Sequence, residues 1–282
     1  GIDLGWSDEQ IDRLRSFRTP DGRVFRLQDL VTGAVIDNSG GKVPVCFAVT
    51  VGQGARTYRG RPADSLLVMD GFVWRVEEPG KPLRIDVESS YSFLTSPDGF
   101  QARGVNDPAV YKDATSARLT RNWATGFIAV ADELRKQKDF QRTENLMERA
   151  VDLIPHASQA VDYLAYLYAE QGKADDLRTL IERSGRANDE ELLLLLGQAE
   201  WKQDNHDGAE QAFLSILAQN HSNRRALQEL VKLYFESERL PEVKRLLEEW
   251  LRYNPQDSRV AQMLAELEKG MGQMDSQVMD SR

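Results

Sequence analysis

Small and large apolar residues recur along the second half of this 282-residue chain with a nearly fixed step, and that step dictates the architecture. Aligned on their small residues, four units start near Ala124, Ser158, Glu190 and Arg224, spaced 34, 32 and 34 residues apart. The first carries Leu134, Phe140, Met147, Ala150 and Pro155, and the second Leu164, Ala165, Tyr168 and Gly172. The third carries Leu196, Gly197, Ala209 and Phe213, and the fourth Leu230, Tyr234, Leu247 and Pro255. Within each unit the apolar spacing is helical, so a unit is a pair of antiparallel helices. Small residues such as Ala165 and Gly197 let the second helix approach the first, and large ones such as Phe213 and Leu247 fill the groove towards the next pair. No unit buries its apolar face alone, so the units must stack.

A step of this size resembles the tetratricopeptide repeat. The expected fold is a small α+β or α/β domain over residues 1–118, followed by an all-α tetratricopeptide-repeat superhelix over 119–270. A helix from Ser258 to Gly270 caps the stack, and 271–282 form a disordered tail. The first part has a different period. Ser7 and Gln10 in SDEQIDRL fit a capping box, and a second helix is expected over Leu27 to Ile36. Lys42 to Val51 (KVPVCFAVTV) is a nearly continuous apolar run, which reads as a strand covered on both faces. Ser65 to Glu78 gives a further strand region broken at Asp70-Gly71.

Net charge is −9, and residues 119–282 hold 21 basic against 29 acidic side chains. That balance argues against nucleic acid and anionic lipid surfaces. No apolar run, that of Glu191 to Gly197 in EELLLLLGQ included, approaches the ~20 residues that cross a bilayer. Cys46, the one cysteine, is expected to be a buried, inert thiol in a strand. His156, His206 and His221 fall at turns or helix ends with no second ligand at metal-binding spacing. Gly40-Gly41-Lys42 leads into a strand rather than a helix N-terminus, so it is a turn and not a phosphate cradle. No catalytic residue, cofactor or metal is expected.

The stretch Phe100 to Trp123 joins the two periods. Asn106-Asp107-Pro108 makes a turn, Val110 and Tyr111 are expected to dock on the sheet, and Asp113 or Thr115 caps a helix running through Arg118 and Trp123. Arg103, Arg118 and Arg121 would lie near Asp107 and Asp113 and fix the junction through Arg–carboxylate contacts.

PVCFAVTV, LVMDGFVWRV and RGVNDPAVYKDATSARLTRNW, followed by helical repeats, resemble in that order a family of bacterial multi-pass membrane proteins related to the eukaryotic transmembrane protein O-mannosyltransferase. The resemblance covers about residues 10–155. It implies a glycosyltransferase using a lipid-linked sugar, with its catalytic residue among membrane helices that precede this chain. This chain would then be a non-catalytic, extracytoplasmic region that holds acceptor polypeptide or a partner protein, attached to the membrane through those helices. The alternative is a free-standing repeat adaptor in the cytoplasm. In either case the binding groove would be lined by first helices, with Tyr163, Tyr166, Leu194, Gln198, Trp201, Gln228 and Lys232 as candidates. The oligomeric state is left open by these features.

Overall fold

The computed structural model describes residues 27–280 apart from 41, 50, 59–60, 78–83, 106, 108, 112 and 155–156. The expected Ser7 helix, Pro155 and His156 lie outside the described residues. By their contacts the chain forms two compact units, 1–160 and 161–282.

In the first unit, helix α1 (Leu27–Ser39) covers the expected Leu27–Ile36, runs three residues further and ends at Gly40, whose φ is +53°. Then come β1 (Cys46–Ala48), β2 (Thr57–Tyr58), β3 (Arg61–Pro62), β4 (Leu67–Asp70), β5 (Val73–Val76) and β6 (Arg84–Ile85). Four of these form a sheet in the order β1-β5-β4-β6, and β2 pairs with β3 separately. β4 and β5 are an antiparallel hairpin with Met69 opposite Trp74, turning at Gly71, where φ is +59°. That left-handed turn is the break read at Asp70-Gly71. Leu67, Val68 and Met69 are almost fully buried, so β4 is the more buried of the two inner strands. Thr57 donates a buried hydrogen bond to Asp29 at 2.6 Å, tying β2 to α1.

The Lys42–Val51 run is not covered on both faces. Among its described residues only Cys46–Ala48 is strand, it lies at the edge of the sheet, and Cys46 and Ala48 are exposed. Cys46 is therefore an exposed thiol, not a buried one. Its alternation is that of an edge strand packed on one side, and a continuous apolar run does not distinguish the two cases.

Helix α2 (Val87–Thr95) is capped by Asp86, which accepts from Ser89 N–H. The long helix α3 (Ala114–Lys136) and α4 (Phe140–Leu153) follow within the same unit. The expected boundary at 118/119 falls inside this unit, and an aromatic cluster shows why. Phe72 at the hairpin turn meets Phe100 at 4.6 Å, Phe127 of α3 at 5.7 Å and Phe93 of α2 at 6.2 Å between centroids. Phe100 in turn meets Trp123 at 4.9 Å, edge to face. Gly126 is needed here, because a Cβ on it would lie 2.5 Å from the Phe72 ring.

In the second unit the helices run α5 (Ser158–Gln171, which begins in the first unit), α6 (Ala174–Ser184), α7 (Glu190–Lys202), α8 (His206–Gln219), α9 (Arg224–Glu236), α10 (Leu240–Tyr253) and α11 (Ser258–Asp280). The starts of α5, α7 and α9 are the unit starts read from the sequence. The fold class is the expected one, a small domain with a four-stranded sheet followed by an all-α repeat region. α11 continues past Gly270 to Asp280, so the segment expected as a disordered tail is helical over its described backbone; it contains no proline to stop the helix.

Candidate protein-docking face

The turn inside each repeat fixes how the first helices are presented. Lys138, Gly172, Asp204 and Glu238 all have φ between 56° and 70°, and each sits two residues before a second helix. After each of them the next N–H reaches back five residues, as in Lys173 to Tyr168 at 2.8 Å and Arg239 to Tyr234 at 2.8 Å. This is the Schellman arrangement, which satisfies the last carbonyls of the first helix and reverses the chain. Neighbouring repeats reinforce it. Lys202 Nζ donates to the carbonyls of Ala169 and Glu170 at 2.9 and 3.0 Å, placing a cation at the negative end of α5. First helices start on polar caps: Asp189 accepts from Glu191 and Leu192 N–H, and Asn223 from Ala226 N–H.

These constraints set α7 and α9 side by side, and their facing side chains form a ladder. Arg225 is hydrogen-bonded to Glu191, and Gln198 Nε2 donates to Glu229 at 3.0 Å. Lys232 Nζ lies over the Trp201 ring, 4.7 Å from its centroid, and 3.8 Å from Glu236. Gln228 is exposed, and Phe235 is 45% exposed one turn beyond Lys232. Of the expected lining, Gln198, Trp201, Gln228 and Lys232 are thus brought together on two adjacent first helices. Tyr166 is 45% exposed on α5, with its hydroxyl towards Glu170 at 3.4 Å, and Tyr163 is half-buried on the same helix. Leu194 does not line the face. It is 3% exposed and packs in the core with Phe213 and Leu230. Its helix is apolar nearly all round, so the sequence alone does not mark which leucine points out. Phe235 and Glu229 lie outside the expected lining, although Phe235 stands 34 residues, one repeat step, after Trp201.

Two junction residues, Val110 and Tyr111, are placed differently from expectation. Tyr111 is 89% and Val110 45% exposed, so neither docks on the sheet; Phe100 and Trp123 take that role through the aromatic cluster. Asp107 caps its own turn, accepting from Ala109 N–H at 2.8 Å. Arg103 donates to Gln101 at 3.4 Å. Asp113 stands immediately before α3, Arg121 is exposed on it, and the Arg118 side chain lies outside the described residues. Among the described residues there is no cluster of three His, Cys, Asp or Glu with metal-ligand geometry, and no helix is long and apolar enough to cross a membrane.

Between repeats, buried carboxylates hold the stack. Glu200, nearly fully buried, accepts from Arg178 and from Asn205 Nδ2. Glu210 accepts from Tyr234 at 2.8 Å and from Arg239 at 2.6 Å. Burial alone would raise the Glu210 carboxyl, but hydrogen bonds from Arg239 and Tyr234 outweigh it and hold its pKa below the ordinary 4.5. Asp189 behaves alike: burial pushes up, Arg186 and backbone N–H groups pull further down, below 3.8. A carboxylate with a depressed folded pKa contributes stability that is complete above its unfolded pKa and is lost as pH falls through its folded one. Thermal midpoints are therefore expected to hold from neutral pH to about 5 and to fall steadily below about 4.5. Glu210→Gln should be less stable at pH 7 yet lose less between pH 5 and 3. Parallel pH profiles for the two proteins would remove Glu210 from the account.

A family described as Tetratricopeptide repeat matches residues 200–267, which include Trp201, Gln228, Lys232 and Phe235. Among solved structures, the chain is similar to the crystal structure of MamA protein at 20% identity, covering 57% of this chain and 87% of that one with a TM-score of 0.41. It is also similar to a tetratricopeptide repeat protein from Parabacteroides merdae at 22% identity, covering 69% and 71%, with a TM-score of 0.37. No curated protein matches the chain. The chain therefore carries a tetratricopeptide-repeat region, a fold suited to protein–protein interaction.

Proposed function

We propose that the α7–α9 face grips a segment of another polypeptide, and that the chain serves as the extracytoplasmic, non-catalytic part of a membrane glycosyltransferase-like protein, presenting acceptor or partner to it. The observation that carries the binding role is the Trp201–Lys232 pair flanked by Gln198, Gln228 and exposed Phe235. An aromatic plane with amides on either side supplies apolar contact and backbone-directed hydrogen bonds at once, as anchoring sites in interfaces do. A random-peptide display library selected on the chain should yield binders. Trp201→Ala with Lys232→Ala should weaken the selected peptide by about 30-fold or more, equivalent to ~2 kcal/mol. Equal binding by the variant would end this reading of the face.

The membrane context rests on the resemblance of PVCFAVTV, LVMDGFVWRV and RGVNDPAVYKDATSARLTRNW. It is tested by the coding sequence upstream of Gly1, which should specify several apolar stretches of about 20 residues. A gene without them supports a free-standing adaptor instead and leaves the docking face standing.

A further inference from the structure

The hydrogen-bonding groups along the open edge of β1 are self-complementary, and we propose that two copies of this chain pair there, antiparallel, about Cys46. Residues 45, 47 and 49 spend their backbone groups on β5: Val76 N–H donates to Val45 and Val49 N–H to Phe72, both at 2.9 Å, around Phe47 opposite Trp74. The even residues therefore point their groups away from the sheet. Among the described residues, the Pro44 carbonyl, both backbone groups of Cys46 and the Ala48 N–H have no partner, whereas the Ala48 carbonyl already accepts from Val51 N–H at 2.9 Å.

A two-fold axis at Cys46 satisfies all of them. Cys46 N–H and C=O exchange two bonds with Cys46 of the second copy, and each Ala48 N–H meets the other copy's Pro44 carbonyl. Proline has no N–H to offer, and it would face the one carbonyl that needs none. The side chains agree: the axis sets Val45 beside Phe47 and Val43 beside Val49, apolar and aromatic cross-strand pairs that stabilise a ladder. Val43 is 64% exposed in the single chain. No charged residue interrupts Val43 to Val49, although edge strands are ordinarily blunted by charge, and Lys42 does not oppose its own copy in this register. The two four-stranded sheets become one continuous sheet.

Sedimentation velocity should show a dimer growing with concentration. The paired Cys46 Cα atoms, about 5.5 Å apart, are within disulfide reach, so mild copper-phenanthroline oxidation should give a reducible dimer. Cys46 is the one cysteine, which fixes the site of any cross-link. Ala48→Pro removes an N–H that the fold does not use and should weaken dimerisation at least tenfold with an unchanged circular dichroism spectrum. Cys46→Lys sets two like charges face to face and should do the same without relying on proline. A chain that stays monomeric at every concentration, or a dimer indifferent to both substitutions, overturns the proposal.

Discussion

Phe213→Ala is expected to lower the unfolding free energy by about 3–5 kcal/mol, the range for emptying a fully buried aromatic site. The ring is 0% exposed and lies in one cluster with Leu194, Ile216, Leu230 and Leu247, so surrounding side chains cannot fill its place without leaving their own. Its neighbour Gly197 makes the same point in reverse. A Cβ there would stand 2.3 Å from Phe213 Cε1 and 2.6 Å from Cζ. Gly197→Ala gains about 1 kcal/mol of helix propensity but drives a methyl into a ring with nowhere to go, an overpacking cost of about 1–3 kcal/mol. The net effect should be destabilising. Adding Phe213→Leu should relieve the clash, so the double variant should be more stable than the sum of the singles predicts, by more than ~0.5 kcal/mol. Urea denaturation of the four proteins measures the cycle. A neutral Gly197→Ala with strict additivity would mean that the two residues do not share a boundary.

That Gly–Phe contact is also why the repeats were legible from sequence. Small residue, large residue and turn recur at one step because the stack reuses one geometry: left-handed turns at 138, 172, 204 and 238 keep the same spacings as the unit starts. The individual turn residues were less legible, since three of the four are Lys, Asp and Glu rather than glycine, held in the left-handed region where backbone bonds such as Asp139 N–H to the Leu134 carbonyl close the turn. In the first unit, local pattern failed where burial depends on partners far along the chain. KVPVCFAVTV is apolar enough for a central strand, yet β4 takes that place and leaves β1 at the rim. Leu194 and Leu195 look alike in EELLLLLGQ, and only the packing of α8 and α9 decides what each touches. The docking face was legible in part because Gln198 and Lys232 hold equivalent positions one repeat apart. Their contacts with Glu229 and Trp201 came from the crossing of two helices, which no spacing rule gives.

The aromatic cluster that takes in Phe100 and Trp123 is where a second large effect is expected. Phe127→Ala should lower the stability of the first unit by about 3–5 kcal/mol, because Phe127 is 0% exposed and sits 5.7 Å from Phe72 and 6.4 Å from Phe100 between ring centroids. Through Phe72 the same ring braces the β4–β5 turn, and through Phe100 it braces the chain leading into α3. Gly99 is required on that path: a Cβ on it would lie 2.1 Å from the Phe93 carbonyl oxygen, a backbone atom that cannot swing aside. Loss of the ring should therefore be felt at the hairpin and at α3 together. Hydrogen exchange should show faster amides in 67–76 and 120–134, while amides of 190–253, which lie in the other unit, keep their protection. Phe127→Leu, which keeps most of the volume, should retain most of the stability. If exchange rose in α3 alone, the aromatic cluster would be a surface contact, and the sheet and the first helix pair would be separate folding units after all.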